Sequence, residues 1–185
     1  KVVINYSRSV EKAESVAEAC RESGGDVIVQ RGDVSVDEDC RSLARAAIDR
    51  WGRIDGLVNN AGTTQFCAHH DLEGLSAVDF QEIYAVNTIG AFQMVRAVAP
   101  QMEKTGAGAV VNVSSVAGVY SIGSSLAYIG SKGALNAITV AMARALGPAI
   151  KINAVCPGYI ESGWHRKAIG DEATDRMVAH IKSST

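Results

Sequence analysis

Short, continuously apolar runs alternate along the chain with longer stretches whose apolar positions recur every three or four residues. The runs read as strands and the longer stretches as helices. Val2–Tyr6 opens as a strand. Val10–Glu22 follows as a helix, with Ala13, Val16, Ala17 and Cys20 at helical spacing and Gly24-Gly25 to stop it. Residues 26–30 form a second strand, and Asp37–Trp51 a second helix with Leu43, Ala44, Ala47 and Ile48 on one face. Residues 54–58 make a third strand. Ser76 can cap a long helix running to about residue 104. Residues 109–113, then Leu126–Leu146, then Ile150–Val155 complete the series as strand, helix and strand. Continuous apolar strands separated by helices suit a parallel sheet covered on both faces. The expected fold is α/β, a doubly wound parallel sheet in a three-layer sandwich, forming one domain over residues 1–185. In such sheets ligands sit at the carboxyl ends of the strands.

Composition narrows the field. The chain has 185 residues, of which 47% are hydrophobic and 21% charged, which argues against disorder. A net charge of −2 offers no basic footprint for nucleic acid, and no apolar run is long enough to span a bilayer. Cys20, Cys40, Cys67 and Cys156 are scattered, with no metal-binding spacing. They read as buried, reduced thiols in a cytoplasmic protein. His69-His70 reads as part of a surface loop rather than a metal site.

Four segments follow predicted strands: Asp33-Val34, Asn59-Asn60-Ala61-Gly62, Ser114-Ser115 and Pro157-Gly158-Tyr159-Ile160. Each alone is compatible with a plain turn. Together they would meet on one edge of the sheet. Tyr128 and Lys132 lie four apart near the start of a helix and share one face. Ser115 precedes Tyr128 by thirteen residues, across a connection that can fold back on the helix. An ammonium beside a phenol favours the phenolate, and a lowered phenol pKa suits a general acid or base near neutral pH. A serine hydroxyl could then hold a carbonyl oxygen that gains charge. By spacing alone, Tyr128 could equally pack on the sheet and Lys132 be solvated.

The chain resembles the short-chain dehydrogenase/reductase family in the order and spacing of these motifs. The resemblance implies catalytic roles for Asn87, Ser115, Tyr128 and Lys132. It implies hydride transfer between the nicotinamide C4 and a ketone or secondary alcohol. Tyr128 would move the proton, Ser115 would hold the oxygen, Lys132 would lower the tyrosine pKa and bond the nicotinamide ribose, and Asn87 would position a water. It implies cofactor contacts from Asp33, Val34, Asn60, Ala61, Gly62, Tyr128, Lys132, Pro157, Gly158, Ile160 and Ser162. The family opens with a strand and a Gly-rich turn, and neither precedes Lys1. The chain therefore reads as beginning at the family's second strand and stopping before its final helix and strand, incomplete at both ends.

Cofactor choice turns on the end of the first strand. Enzymes that take NAD(H) place an acid there. This chain has Tyr6, Ser7 and Arg8 instead. A guanidinium and a hydroxyl suit a 2′-phosphate, so NADP(H) is favoured over NAD(H). Gln65, Phe66, Tyr120, Ile122, Tyr159 and Trp164 are expected near the substrate, which makes a small carbonyl or alcohol of moderate size the partner. A 3-oxoacyl thioester and a sugar or steroid-like alcohol are both candidates. A catalytically silent dinucleotide-binding regulator or scaffold is the alternative. By resemblance, the two long helices pair with their copies in a homotetramer or homodimer, using Phe92, Met94, Val95, Ile138, Met142 and Leu146.

Overall fold

A computed structural model describes residues 1–160 and 163–183. Ser162 and the side chain of Trp164 lie outside the described residues.

Strand and helix alternate in the expected order. The strands are β1 (Val2–Tyr6), β2 (Val27–Arg31), β3 (Gly56–Asn59), β4 (Gly108–Val113) and β5 (Ile150–Val155). The helices are α1 (Val10–Glu22), α2 (Asp37–Trp51), α3 (Ala77–Tyr84), α4 (Ala91–Thr105), α5 (Ala117–Tyr120), α6 (Leu126–Leu146), α7 (Gly163–Ile169) and α8 (Asp171–Ser183). Helix ends follow local chemistry. Asp37, Glu38 and Asp39 sit in the first turn of α2, where the helix dipole favours acids, and Gly52 ends it in the left-handed region at φ 74°. Ser76 and Asp79 form a capping box on α3. The Ser125 side chain accepts from the Tyr128 backbone N–H at 3.2 Å and starts α6.

The long helix expected from residue 76 is interrupted. Ala85–Gly90 forms a π-helical turn between α3 and α4. Its residues face two ways at once. The Asn87 and Thr88 side chains bond to Ser131 of α6. Gly90 packs so closely on Val34 that an added Cβ would lie 2.8 Å from a Val34 methyl. An extra residue in the turn serves both neighbours, a register that helical periodicity alone does not reveal.

All strand pairs are parallel, as expected, but they form two pieces: β1 with β2, and β3-β4-β5 with β4 in the centre. Cys40, Leu43 and Met94 bridge them, packing on Val3 of β1 and Leu57 of β3. The main core lies on one face of β3-β4-β5. Val95, Val98 and Met102 of α4 and Met142 of α6 pack there against Val110, Ile150 and Ile152. The opposite face is open among the described residues, with Val58 65% and Val155 46% exposed. Among the described residues α2, α4 and α6 share the core on one face of β3-β4-β5, while α1 packs on β1 and β2 through Ala13 and Ala17.

Two further expectations change. Of the six apolar helix residues assigned to a subunit interface, Met94, Val95 and Met142 are buried and Ile138 and Leu146 pack on the core, so only Phe92 stays exposed. Of the four thiols, all free, only Cys40 is buried. Among the described residues, no helix is long and apolar enough to cross a membrane.

Candidate functional site

The C-terminal end of β4 runs into α5, and α5 folds back onto α6. Gly118 makes this possible, because a Cβ there would lie 2.6 Å from the Lys132 backbone. Ser115 is thereby brought beside Tyr128, where its hydroxyl favours the charged form of the phenol. The Ser115 hydroxyl also accepts from the Ala117 backbone N–H at 3.1 Å. Lys132, 4% exposed, donates to the Val113 carbonyl at 2.8 Å, and its Nζ stands 5.8 Å from the Tyr128 ring centre. Ser114 donates to the Lys132 carbonyl at 3.2 Å, pinning α6 to the strand.

The electrostatics differ from the sequence expectation. Burial raises the Tyr128 phenol above its ordinary pKa of 10, and the Ser115 hydroxyl offsets this only in part. Burial also lowers Lys132 to about 8. The ammonium was expected to lower the tyrosine. It does not, because burial of the phenol is the larger effect and the ammonium is itself desolvated and spends a donor on a backbone carbonyl.

Asn87 stands apart from this group. Its amide donates to the Thr63 carbonyl and to the Ser131 hydroxyl, both at 2.9 Å, and accepts from the Thr63 N–H at 2.8 Å. Ser131 in turn donates to the Tyr128 carbonyl at 2.8 Å. Asn87 thus ties the loop after β3 to the turn of α6 that carries Tyr128, and its side chain bonds to neither Tyr128 nor Lys132. Deeper down, Asn59 donates to Asn112 at 2.9 Å, and Asn112 to Thr139 at 2.8 Å. This buried chain joins β3, β4 and α6. Periodicity gave no hint of Ser131, Asn112 or Thr139, although a polar residue inside an apolar strand was a signal for Asn112.

A cavity of about 1630 Å³ opens over these residues. Asn60, Ala61 and Gly62 line one side, and Pro157, Gly158 and Ile160 another, with Ser115, Tyr128 and Lys132 at the base. Three of the four strand-end segments therefore meet. Phe66, Ile122 and Tyr159 line the cavity as expected, whereas Gln65 and Tyr120 do not. His69, read as a loop residue, also lines it, and its Nε2 lies 2.9 Å from the Gly123 carbonyl. Lys12 and His165 are lining residues that the sequence reading missed.

Ser7, Arg8 and Asp33 surround a separate pocket of about 320 Å³, together with Arg31 and Asp39. The parallel register sets Arg31 opposite Tyr6, and its guanidinium donates to the Ser7 carbonyl at 3.4 Å. Hydrogen bonds from Ser35 hold the Asp33 carboxyl below the usual range. Val34 lines neither cavity; its carbonyl accepts from Gln93 at 2.8 Å.

Known proteins resemble this chain. A family model described as short chain dehydrogenase matches residues 1–173. A ketoacyl reductase assigned to the granaticin polyketide synthase of Streptomyces violaceoruber is 43% identical over 185 residues, covering 100% of this chain and 72% of that protein. The 3-oxoacyl-(acyl-carrier-protein) reductase of Staphylococcus aureus is 30% identical over 181 residues, covering 97% and 72%. Among solved structures, a short-chain dehydrogenase/reductase from Burkholderia xenovorans superimposes with a TM-score of 0.84 at 40% identity, covering 88% of this chain and 68% of that one. A gluconate 5-dehydrogenase from Burkholderia cenocepacia, in complex with NADP and tartrate, gives 0.79 at 31% identity, covering 92% and 66%. With its parallel sheets, its Ser115–Tyr128–Lys132 group and a family match over nearly its whole length, the chain belongs to the short-chain dehydrogenase/reductase family of nicotinamide-dependent oxidoreductases.

Proposed function

We propose that this protein reduces a ketone to a secondary alcohol, with NADPH preferred and Tyr128 as the proton donor. The observation that carries the reading is the gathering of Ser115, Tyr128 and buried Lys132 in the lining of one cavity. When bound, the nicotinamide supplies the hydride that the carbonyl carbon receives. Tyr128 gives its phenolic proton to the carbonyl oxygen. Ser115 donates a hydrogen bond to the same oxygen as charge gathers there. Ser115 also offsets part of the burial cost of the phenolate that remains. At neutral pH the phenol carries its proton, as an unperturbed phenol does, and can donate it to the carbonyl oxygen. Asn87 acts by holding the loop after β3 against the Tyr128 turn.

The residues present fit the cofactor. Gly158 faces open space, with no atom within 4 Å of where a Cβ would stand, so a flat ring can lie against its backbone. Asn60, Ala61, Gly62, Pro157 and Ile160 would flank the nicotinamide half, and Lys132 would bond its ribose. Asp33 would sit by the adenosine end. Ser7 and Arg8, with Arg31 added by the structure, would hold a 2′-phosphate, since paired guanidinium groups bind phosphate well. A 3-oxoacyl thioester is a reasonable substrate, given the relatives. The proposal includes a homotetramer or homodimer, now supported by Ile89, Phe92 and Val140, which are 49%, 43% and 52% exposed.

The test is ketone-dependent NADPH oxidation over a panel of 3-oxoacyl thioesters, cyclic ketones and keto sugars. Turnover should be faster with NADPH than with NADH. Tyr128→Phe should lower it by roughly 10²–10⁴-fold while the circular dichroism stays unchanged. Near-wild-type turnover by the variant would remove Tyr128 from the mechanism.

A further inference from the structure

Residues 122–125 connect α5 to α6 and lead into the turn that carries Tyr128. Gly123 packs on the tyrosine ring: a Cβ there would lie 3.4 Å from Cδ1 of Tyr128 and 3.1 Å from the Ala117 methyl. Ser125, fully buried, accepts from the Tyr128 N–H. Among the described residues, the N–H groups of Ile122, Gly123 and Ser124 donate no backbone hydrogen bond. The segment therefore has no ladder of its own and takes its position from what grips it. The loop after β3 grips it at three points. Thr64 Oγ1 lies 2.6 Å from the Ser124 hydroxyl oxygen. The Cys67 N–H donates to the Ser124 carbonyl at 2.9 Å. His69 Nε2 lies 2.9 Å from the Gly123 carbonyl, and since a carbonyl only accepts, that nitrogen carries a proton. The loop is itself fixed. Asn87 bonds both the N–H and the carbonyl of Thr63, and it reaches the Tyr128 carbonyl from the other side through Ser131.

We propose that Thr64, Ser124 and His69 are positioning residues for Tyr128: they clamp residues 123–125 against its ring and so hold the phenol where it gives up its proton. This rests on the reductase reading above and adds three residues to it.

The physical need for a clamp lies in the tyrosine side chain. Helix α6 fixes its backbone, but the ring still turns about two torsions, and only packing selects one setting. Gly123 supplies that packing, and the Lys132 ammonium stands 5.8 Å from the ring centre. A glycine cannot hold itself in place, having no side chain and a permissive backbone. The grip on its carbonyl and on Ser124 supplies what it lacks. Misplacing a reacting group by about 1 Å can cost on the order of 100-fold in rate. The three residues act through Gly123 and Ser125, and no proton passes along them.

The test compares Thr64→Val, which keeps the shape and removes the hydroxyl, with Thr64→Ser, which keeps the hydroxyl. Two readouts are taken on the full chain. One is the ¹³Cζ resonance of labelled Tyr128, identified by its loss in Tyr128→Phe. The other is NADPH oxidation with the N-acetylcysteamine thioester of acetoacetate, or with the fastest ketone of the panel above. Thr64→Val should move the Tyr128 resonance towards that of an exposed tyrosine. It should also lower kcat by about tenfold with KM little changed, as for an interaction that matters only in the transition state. Thr64→Ser should bring both readouts back to near wild type. His69→Ala should change both in the same direction, and His69→Gln, whose amide can donate to the Gly123 carbonyl, should recover part. An unchanged kcat in Thr64→Val overturns the clamp whatever the resonance does. So does a loss that Thr64→Ser fails to recover, or one confined to KM. If the resonance moves and is recovered as expected, but the wild type oxidises NADPH with none of the compounds, the grip on Tyr128 stands and the reductase reading falls instead.

Discussion

Around the start of α6, buried polar side chains are tied off. Asn59, Asn112 and Thr139 form one chain, Asn87 and Ser131 another, and Lys132 ends on a strand carbonyl. Across the same cavity, Tyr159 and His165 are as well shielded from water at their polar atoms and yet have no partner. The two regions carry similar chemical groups, so the difference lies in what each is for. A proton donor must be held in place before substrate arrives, and a satisfied network does this by removing alternative positions. Unpaired polar atoms lower stability, and such costs are typical of functional sites.

Three measurements break or sharpen this contrast. The largest effect is expected in the tied-off region. Asn112→Leu keeps the shape but leaves an Asn59 N–H without its acceptor and the Thr139 hydroxyl with only its bond to the Leu135 carbonyl. Urea unfolding should show a loss of about 3–4 kcal/mol. A loss under about 1 kcal/mol would mean that the network does not hold α6.

The next concerns Lys132. Its native pKa is about 8, against 10.5 in the unfolded chain. Below pH 8 both states carry the proton. Between 8 and 10.5 the unfolded chain binds more protons, so stability rises with pH across that window. Wild type should gain on the order of 2–3 kcal/mol relative to Lys132→Met from pH 8 to 10.5. Parallel stability curves for the two proteins would place the ammonium in water rather than in the base of the cavity.

The smallest effect has the opposite sign. Tyr159→Phe removes an unpartnered hydroxyl from the wall and should leave stability unchanged or raise it by up to about 1 kcal/mol. A clear loss in thermal unfolding would show that this hydroxyl has a structural partner, and the contrast between the regions would fail.

Much of the fold was legible because periodicity is local. The bounds read for α1, α2, α6, β1 and β5 match the structure to the residue. Shorter or later elements were harder. The third strand starts at Gly56 rather than Ile54, and α5, α7 and α8 were not read at all. Of the site, Ser115, Tyr128 and Lys132 were legible from their spacing together with the resemblance to the family, and the strand-end segments from the rule that ligands gather there. Arg31 was missed because only strand register sets it beside Ser7. His165 was missed because a single histidine in a polar stretch carries no pattern.

What the amino-acid order by itself determined is therefore the succession of strands and helices and the four-residue spacing of Tyr128 and Lys132 on one helix face, since both depend on neighbours a few residues apart. The tertiary structure alone decided the π-helical turn, which answers to Val34 and Ser131 from distant segments. It decided which side chains are core: Met94, Val95 and Met142 fill one chain's interior rather than a subunit interface. It also reversed the direction of the Tyr128 pKa. Spacing placed a cation near the phenol, but only packing shows that both are desolvated, and desolvation acts through the whole surrounding volume rather than along the chain.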